Sequence, residues 1–208
     1  LPDLVQRAFF LLLVRPFLIL FIGLRVRGRE HLPERGPFLL IGNHSSHLDT
    51  ITLLSLLPLG LLREVRPVAA ADYFERNAVV SWVTHTLFNI LPIVRRKEDR
   101  SPGDDPRVAM LQALDGGDSL VLFPEGTRHD AWEGVGPFRA GVAYLVEQRP
   151  QVPVIPCHLV NVGKSLPKGT FIPVPFLCEI HIGTPRTLSG STEEVLGALE
   201  EAVRELAR

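Results

Sequence analysis

Short apolar runs of four or five residues recur along this chain, and helix-like stretches separate them. Phe38–Gly42, Pro67–Ala70, Ile90–Val94, Leu120–Phe123 and Val152–Pro156 each have the length and composition of a strand buried on both faces. Between them, Ile51–Leu57 is apolar all round, as a buried helix would be, and Ala78–Phe88 reads as a helix carrying Trp82. Pro106 follows Asp104 and Asp105 where a first helical residue belongs, and Val108, Leu111 and Leu114 share a face until Gly116–Gly117 stops the helix. Ser191 and Glu194 have the spacing of a capping box, and Val195, Leu199, Ala202, Val203 and Leu206 form one stripe behind it. This alternation predicts an α/β fold: a single domain with a central, largely parallel sheet flanked by helices. The prolines of Val152–Pro156 place that strand at an edge or a strand end. The polar stretch Arg95–Pro106 reads as a solvated loop.

A chain of 208 residues suffices for one sizeable domain and is short for two. Its net charge of −1 argues against a molecule built to bind nucleic acid. The charge is uneven, however. Residues 1–29 hold five Arg against one Asp, and residues 192–208 hold five Glu against two Arg, which suits an oriented molecule on an anionic membrane. Cys157 and Cys178 lack metal-ligand spacing and read as two reduced thiols of a cytosolic protein. The chain opens on Leu1 rather than Met, as expected of a segment of something longer.

Residues 4–24 are rich in Leu, Phe, Ile and Val, interrupted by Arg7, Arg15 and Pro16. The charge-free stretches Ala8–Val14 and Pro16–Leu24 are far shorter than the roughly 20 residues a spanning helix needs. Pro16 is expected to break or kink a helix. Two short helices in a membrane interface, with Arg7 and Arg15 reaching headgroups, fit this pattern, and a buried pair of core helices is the alternative.

Two constellations carry chemistry. The first, Asn43-His44-Ser45-Ser46-His47-Leu48-Asp49, follows directly on an expected strand. Residues five apart on a continuous helix point about 140° apart. His44 and Asp49 therefore meet only if His44 lies in the turn and Asp49 in the first helical turn, with Ser45 or Ser46 as cap. Asp49 would then fix the imidazole tautomer and leave the other nitrogen as a base. The spacing alone is weak, and a structural turn histidine explains it as well. A metal held by His44, His47 and Asp49 is a rival, but His31, His85, His129, His158 and His181 form no second cluster, so no metal is expected. The second constellation is Phe123-Pro124-Glu125-Gly126-Thr127-Arg128. Gly126 allows close backbone approach to a ligand. Arg128 offers a planar fork suited to phosphate. Glu125 would accept from a ligand hydroxyl or orient Arg128, and a strand-end turn with a surface Glu–Arg pair is the plainer alternative.

Together the motifs resemble those of the 1-acylglycerol-3-phosphate (lysophospholipid) acyltransferase family, marked by N-H-x-x-x-x-D and, some eighty residues on, by F-P-E-G-T-R. Asn43–Asp49 and Phe123–Arg128 match in order, spacing and letter. Arg25–Pro33 looks like the family's lead-in strand. Leu91–Arg95 sits where the family has G-x-F-I-x-R, a segment implicated in binding glycerol phosphate. Phe138–Gly141 resembles its F-K/R-x-G, and Val152–Pro156 its proline-containing strand. The resemblance thus runs from about residue 24 to 208. It departs at Leu91, Pro92 and Ile93, and at Ala69-Ala70-Ala71, where many members carry a Lys. These departures fall in the acceptor-binding region.

The resemblance implies a glycerolipid acyltransferase domain over residues 25–208, behind an apolar membrane-interface segment over residues 1–24. It implies transfer of a fatty acyl group from an acyl thioester to the sn-2 hydroxyl of 1-acylglycerol-3-phosphate, giving phosphatidic acid. His44 would be the general base and Asp49 its partner. Arg95, Glu125, Gly126, Thr127, Arg128 and Arg139 would bind substrate, the arginines as phosphate clamps, with a backbone amide near Gly126 as candidate oxyanion donor. His47 and Asn43 would support the turn. No cofactor is implied beyond the thioester co-substrate, acyl-CoA or acyl carrier protein. The expected setting is peripheral or monotopic, on the cytoplasmic face of a membrane. Acylation of another lysophospholipid or a lyso-aminolipid is one alternative, and a catalytically silent lipid-binding module of a larger protein is another.

Overall fold

The computed structural model describes residues 2–71, 78–94, 98, 104–129, 134–167, 170 and 172–208. Arg95 and most of the charged loop after it lie outside these residues. Seven strands form one sheet: β1 (Arg25–Arg27), β2 (Leu39–Gly42), β3 (Val65–Ala70), β4 (Leu91–Ile93), β5 (Ser119–Leu122), β6 (Val154–Val160) and β7 (Glu179–Ile182). Their order is β1-β7-β6-β2-β5-β3-β4, and every neighbouring pair is parallel except β6 with β7. The longer helices are α1 (Asp3–Phe21), α2 (Leu48–Leu56), α3 (Ala78–Phe88), α4 (Pro106–Asp115), α5 (Ala140–Gln148) and α6 (Thr192–Glu205). The α/β fold with a largely parallel sheet is therefore as the sequence predicts.

Successive strand residues point to opposite faces, and both faces are covered. Leu40, Val121 and Ile155 join α1 and α2 in one core with Phe10, Leu18, Leu53 and Leu57. Leu39, Ile41 and Leu120 join α4, α5 and α6 in the other with Met110, Leu114, Leu145 and Leu199. Burial on both faces is why the strands read as unbroken apolar runs. The helix boundaries follow local chemistry. Asp105 accepts from the Arg107 amide with Pro106 at the first turn of α4, and the Ser191–Glu194 capping box opens α6.

Three expectations are narrowed or corrected. Of the two places expected for the prolines of Val152–Pro156, an edge or a strand end, the edge is excluded, since β6 lies inside the sheet between β7 and β2. The strand end holds, since Pro153 immediately precedes Val154, the first residue of β6. The β6–β7 register advances by one residue between the Val154–Arg186 bridge and the Cys157–Ile182 pair, and Pro156 sits at that step. A proline costs no ladder hydrogen bond where the pairing slips. The second correction concerns Pro16, which does not divide the N-terminal segment. Asp3–Phe21 is one helix, wound as π-helix over Phe10–Val14 and Phe17–Phe21 on either side of the proline. The wider π turns accommodate a residue that cannot donate.

By length and apolar content α1 could cross a membrane, with a mean hydropathy of 1.9. One stripe of it, Phe10, Val14 and Leu18, is nevertheless packed into the domain core with Ile22 just beyond the helix. Arg15 does not reach outward as expected. Its Nε donates to Ser55 O at 3.0 Å and its Nη2 to Leu57 O at 2.7 Å, capping the carbonyl end of α2. The opposite face leaves Leu4, Leu12, Leu13, Ile19 and Leu20 exposed.

Candidate active site

β2 and β5 are parallel neighbours with Ile41 opposite Leu122, so the loops leaving their C-terminal ends emerge side by side. Such strand ends are where α/β sheets gather their chemistry. This pairing brings together two motifs that lie eighty residues apart.

The first loop is held from both sides. Asn43 continues the β2–β6 ladder with its side chain, accepting from the Leu159 amide at 2.7 Å and donating to Leu159 O at 3.1 Å. His44 lies in the turn and Asp49 in the first turn of α2, as the spacing requires. His44 Nδ1 is 2.8 Å from Asp49 Oδ2, and the same oxygen accepts the Ser45 and Ser46 amides at 2.7 Å each. The Ser46 hydroxyl takes the Leu48 amide at 3.2 Å just ahead of α2, but the N-cap position falls on His47, without a side-chain capping bond, and not on a serine as expected. Asp49 is fully buried, whereas His44 keeps part of its side chain in solvent. The His44 ring stacks on Phe123, centroids 4.2 Å apart and planes 15° apart.

The second loop packs against the first. Glu125 is only 3% exposed and turns inward. Its Oε1 accepts the Gly136 amide at 3.2 Å and its Oε2 the His44 amide at 3.4 Å, so it ties backbone to backbone and does not orient Arg128. Burial pushes its carboxyl upward, only partly offset by those amides and by His129. Arg128 Nη1 donates to His47 Nε2. Burial first, then the Arg128 charge, holds His47 below its ordinary value, which keeps that nitrogen an acceptor. Arg139 Nε donates to Glu125 O at 3.1 Å. Thr127 is exposed at the tip of the turn. The Gly126 amide itself closes the turn on Phe123 O at 2.9 Å.

The family model described as Acyltransferase matches residues 23–160, more than half of the chain, and takes in both loops. The chain belongs to the acyltransferase family. A chloroplastic 1-acyl-sn-glycerol-3-phosphate acyltransferase of Brassica napus is 32% identical over 70% of this chain and 39% of its own length. The alpha form of that enzyme from Mus musculus is 28% identical over 93% of this chain and 65% of its own. The chain thus spans between about two fifths and two thirds of these relatives. The crystal structure of the 1-acyl-sn-glycerophosphate acyltransferase of Thermotoga maritima shares the fold, with a TM-score of 0.73 over 98% of this chain and 77% of that one at 23% identity.

In this member of the family, two depressions flank the paired loops. One, about 450 Å³, is polar and lined by Asn43, His44, Ser45, His129, His158 and Asn161 among others. The other, about 520 Å³, is mostly apolar, lined by Val68, Ile93, Met110, Leu122 and Val142 with Gly126 and Arg139. Sequence reasoning missed Phe123 as the ring under His44, and His129 and His158 as cleft residues. No group of three His, Cys, Asp or Glu among the described residues is arranged to hold a metal ion.

Gly126 has φ +70°, and a Cβ there would stand 2.6 Å from Arg139 Nε. Gly126→Ala is expected to cost about 1–3 kcal/mol of stability, read from the midpoint of urea unfolding. His158 supplies a pH prediction. Burial, helped by His181 opposite it in the β6–β7 ladder, pushes its imidazole down to about 4. A histidine takes its proton near pH 6.5 in the unfolded chain. Since the folded value is the lower one, His158 contributes stability above pH 6.5 that is lost as pH falls toward 4. Thermal unfolding at pH 7 and pH 4.5 is expected to show a smaller acid-induced drop in His158→Leu than in the parent protein.

Proposed function

We propose that this chain transfers a fatty acyl group from an acyl thioester to the sn-2 hydroxyl of 1-acylglycerol-3-phosphate, giving phosphatidic acid. The 2.8 Å His44–Asp49 pair at the edge of a cleft, with Arg128 and Arg139 on the adjoining loop, carries the reading. A hydroxyl is a poor nucleophile until its proton leaves. With Nδ1 bonded to Asp49, His44 offers Nε2 as general base while the oxygen attacks the thioester carbonyl. Buried Asp49 stabilises the imidazolium. The C–S bond then breaks, and the departing thiolate recovers the proton from His44 as free thiol. No acyl-enzyme is formed.

Arg128, steadied by His47, and Arg139, steadied by Glu125 O, serve as phosphate clamps together with Arg95, and raise the effective concentration of the hydroxyl. Gly126 and Thr127 shape the turn on which the acceptor sits, and Glu125 binds the two loops into one platform. The mostly apolar depression suits the acyl tail. Coenzyme A or acyl carrier protein supplies the thioester. The exposed apolar face of α1 rests in the interface on the cytoplasmic side of a membrane, where both lipid substrates reside.

The test is product identification. The protein is incubated in detergent micelles with acyl-CoA or acyl carrier protein thioester and a panel of lysophospholipids, followed by mass spectrometry. Diacyl product from 1-acylglycerol-3-phosphate is expected. Product from a different lysolipid only would overturn the acceptor, and lysolipid binding without product from any pairing would overturn the enzyme in favour of a silent lipid-binding module.

A further inference from the structure

The β6–β7 connection carries a feature that the proposed chemistry does not use. Residues 172–177 read Ile-Pro-Val-Pro-Phe-Leu, without a charge. Ile172 is 80% exposed and Leu177 62%, with Val174 and Phe176 exposed between them. Four large apolar side chains outward in six residues would be costly in water unless something covers them.

The backbone of this loop is turned the other way. Pro173 and Pro175 have no N–H to satisfy. The Val174 amide donates to Ser165 O at 2.8 Å, and Val174 O accepts from the Ser165 hydroxyl at 2.7 Å. Leu177 O accepts from Asn161 at 3.2 Å, and Phe176 O from the Cys178 thiol at 3.1 Å. Four peptide groups of the loop thus find partners within the protein and two prolines remove two further donors. This lowers the cost of placing the loop in an apolar solvent, where an unsatisfied peptide group finds no water.

Its position singles out the occupant. Leu177 packs beside Gly23 at the end of α1, and the Arg25 amide bonds Cys178 O at 2.9 Å, so the loop adjoins the end of the helix. Phe21, Leu20 and Ile19 of α1 are exposed as well. Lys164 stands over the Phe176 ring at 5.5 Å, and exposed Arg25 lies nearby, so cations sit at the base of the apolar tip. That order, apolar outward and cationic behind, matches acyl chains followed by anionic headgroups. The same connection touches the catalytic loop, the Ser46 hydroxyl donating to Leu166 O at 2.9 Å.

We infer that residues 172–177 are a second bilayer-inserting element, continuous with the exposed face of α1, which holds the His44 loop toward anionic phospholipid. This rests on reading α1 as an interfacial helix. The test is co-sedimentation with mixed phosphatidylcholine–phosphatidylglycerol vesicles of the parent protein, Ile172→Ser/Leu177→Ser in the loop, and Leu12→Ser/Leu20→Ser in α1. Partition of the loop variant is expected to fall by about tenfold or more. A Phe176→Trp variant is expected to be quenched by vesicles of brominated lipid beyond the level of the parent. A loop variant that sediments like the parent while the α1 variant does not would overturn the loop inference and leave α1 standing. A parent protein that stays in the supernatant would overturn both, and self-association lost in the loop variant would assign the patch to a second copy of the chain instead.

Discussion

Replacing His44 by Ala is expected to lower kcat by about 10²–10⁴ while leaving KM for the acceptor within a few-fold. The ring is placed for one job. Asp49 fixes its Nδ1 at 2.8 Å, and Phe123 supports its face. The fold should survive the change. The loop is carried by Asn43 on Leu159 and by the Ser45 and Ser46 amides on Asp49, none of which needs the imidazole. Steady-state rates on the purified variant, beside its thermal unfolding, check both halves. Activity within tenfold of the parent would remove His44 from the chemistry.

Asp49→Asn is the second large effect, and it separates charge from shape. Asp49 Oδ2 accepts three donors, whereas Oδ1 is buried with no hydrogen-bond partner among the described residues. An asparagine can keep its carbonyl oxygen on the two amides and His44, with its NH₂ where Oδ1 was. The arrangement persists, but the charge proposed to stabilise the imidazolium is gone. A kcat loss of about 10²–10⁴ is expected, with a stability cost of about 1–3 kcal/mol for the buried amide group. Asp49→Ala would strand both serine amides and so mix the two effects. An Asp49→Asn variant that is folded and as active as the parent would show that only position matters.

Much of the fold is legible in the sequence because a sheet covered on both faces leaves a blunt signal. Leu39, Leu40 and Ile41 point to opposite cores, yet all must be apolar. The caps are legible too, since Ser191 with Glu194 and Asp105 with Pro106 act within four residues. The errors occur where tertiary context outweighs a local rule. Pro16 is absorbed by π winding, Pro156 by a register step, and Arg15 turns inward because the carbonyls of α2 are waiting for it. β7 is not legible although Ile180 and Ile182 alternate correctly, because four residues of period two are too short a pattern to stand out. At the site, the residue types were legible and the division of labour was not. Glu125 looks like a ligand in the sequence and is a buried clip between backbones in the structure. Nothing local marks His47 as the acceptor of Arg128, or Gly126 as a residue whose amide is already bonded.

The most direct test of the central claim, direct acyl transfer with His44 as base, is thiol release from acyl-CoA in a rapid-quench experiment with and without 1-acylglycerol-3-phosphate. Direct transfer predicts that no thiol appears until the acceptor is added, and that it then appears in step with phosphatidic acid. A burst of thiol equal to the enzyme concentration in the absence of acceptor would reveal an acyl-enzyme and contradict the mechanism.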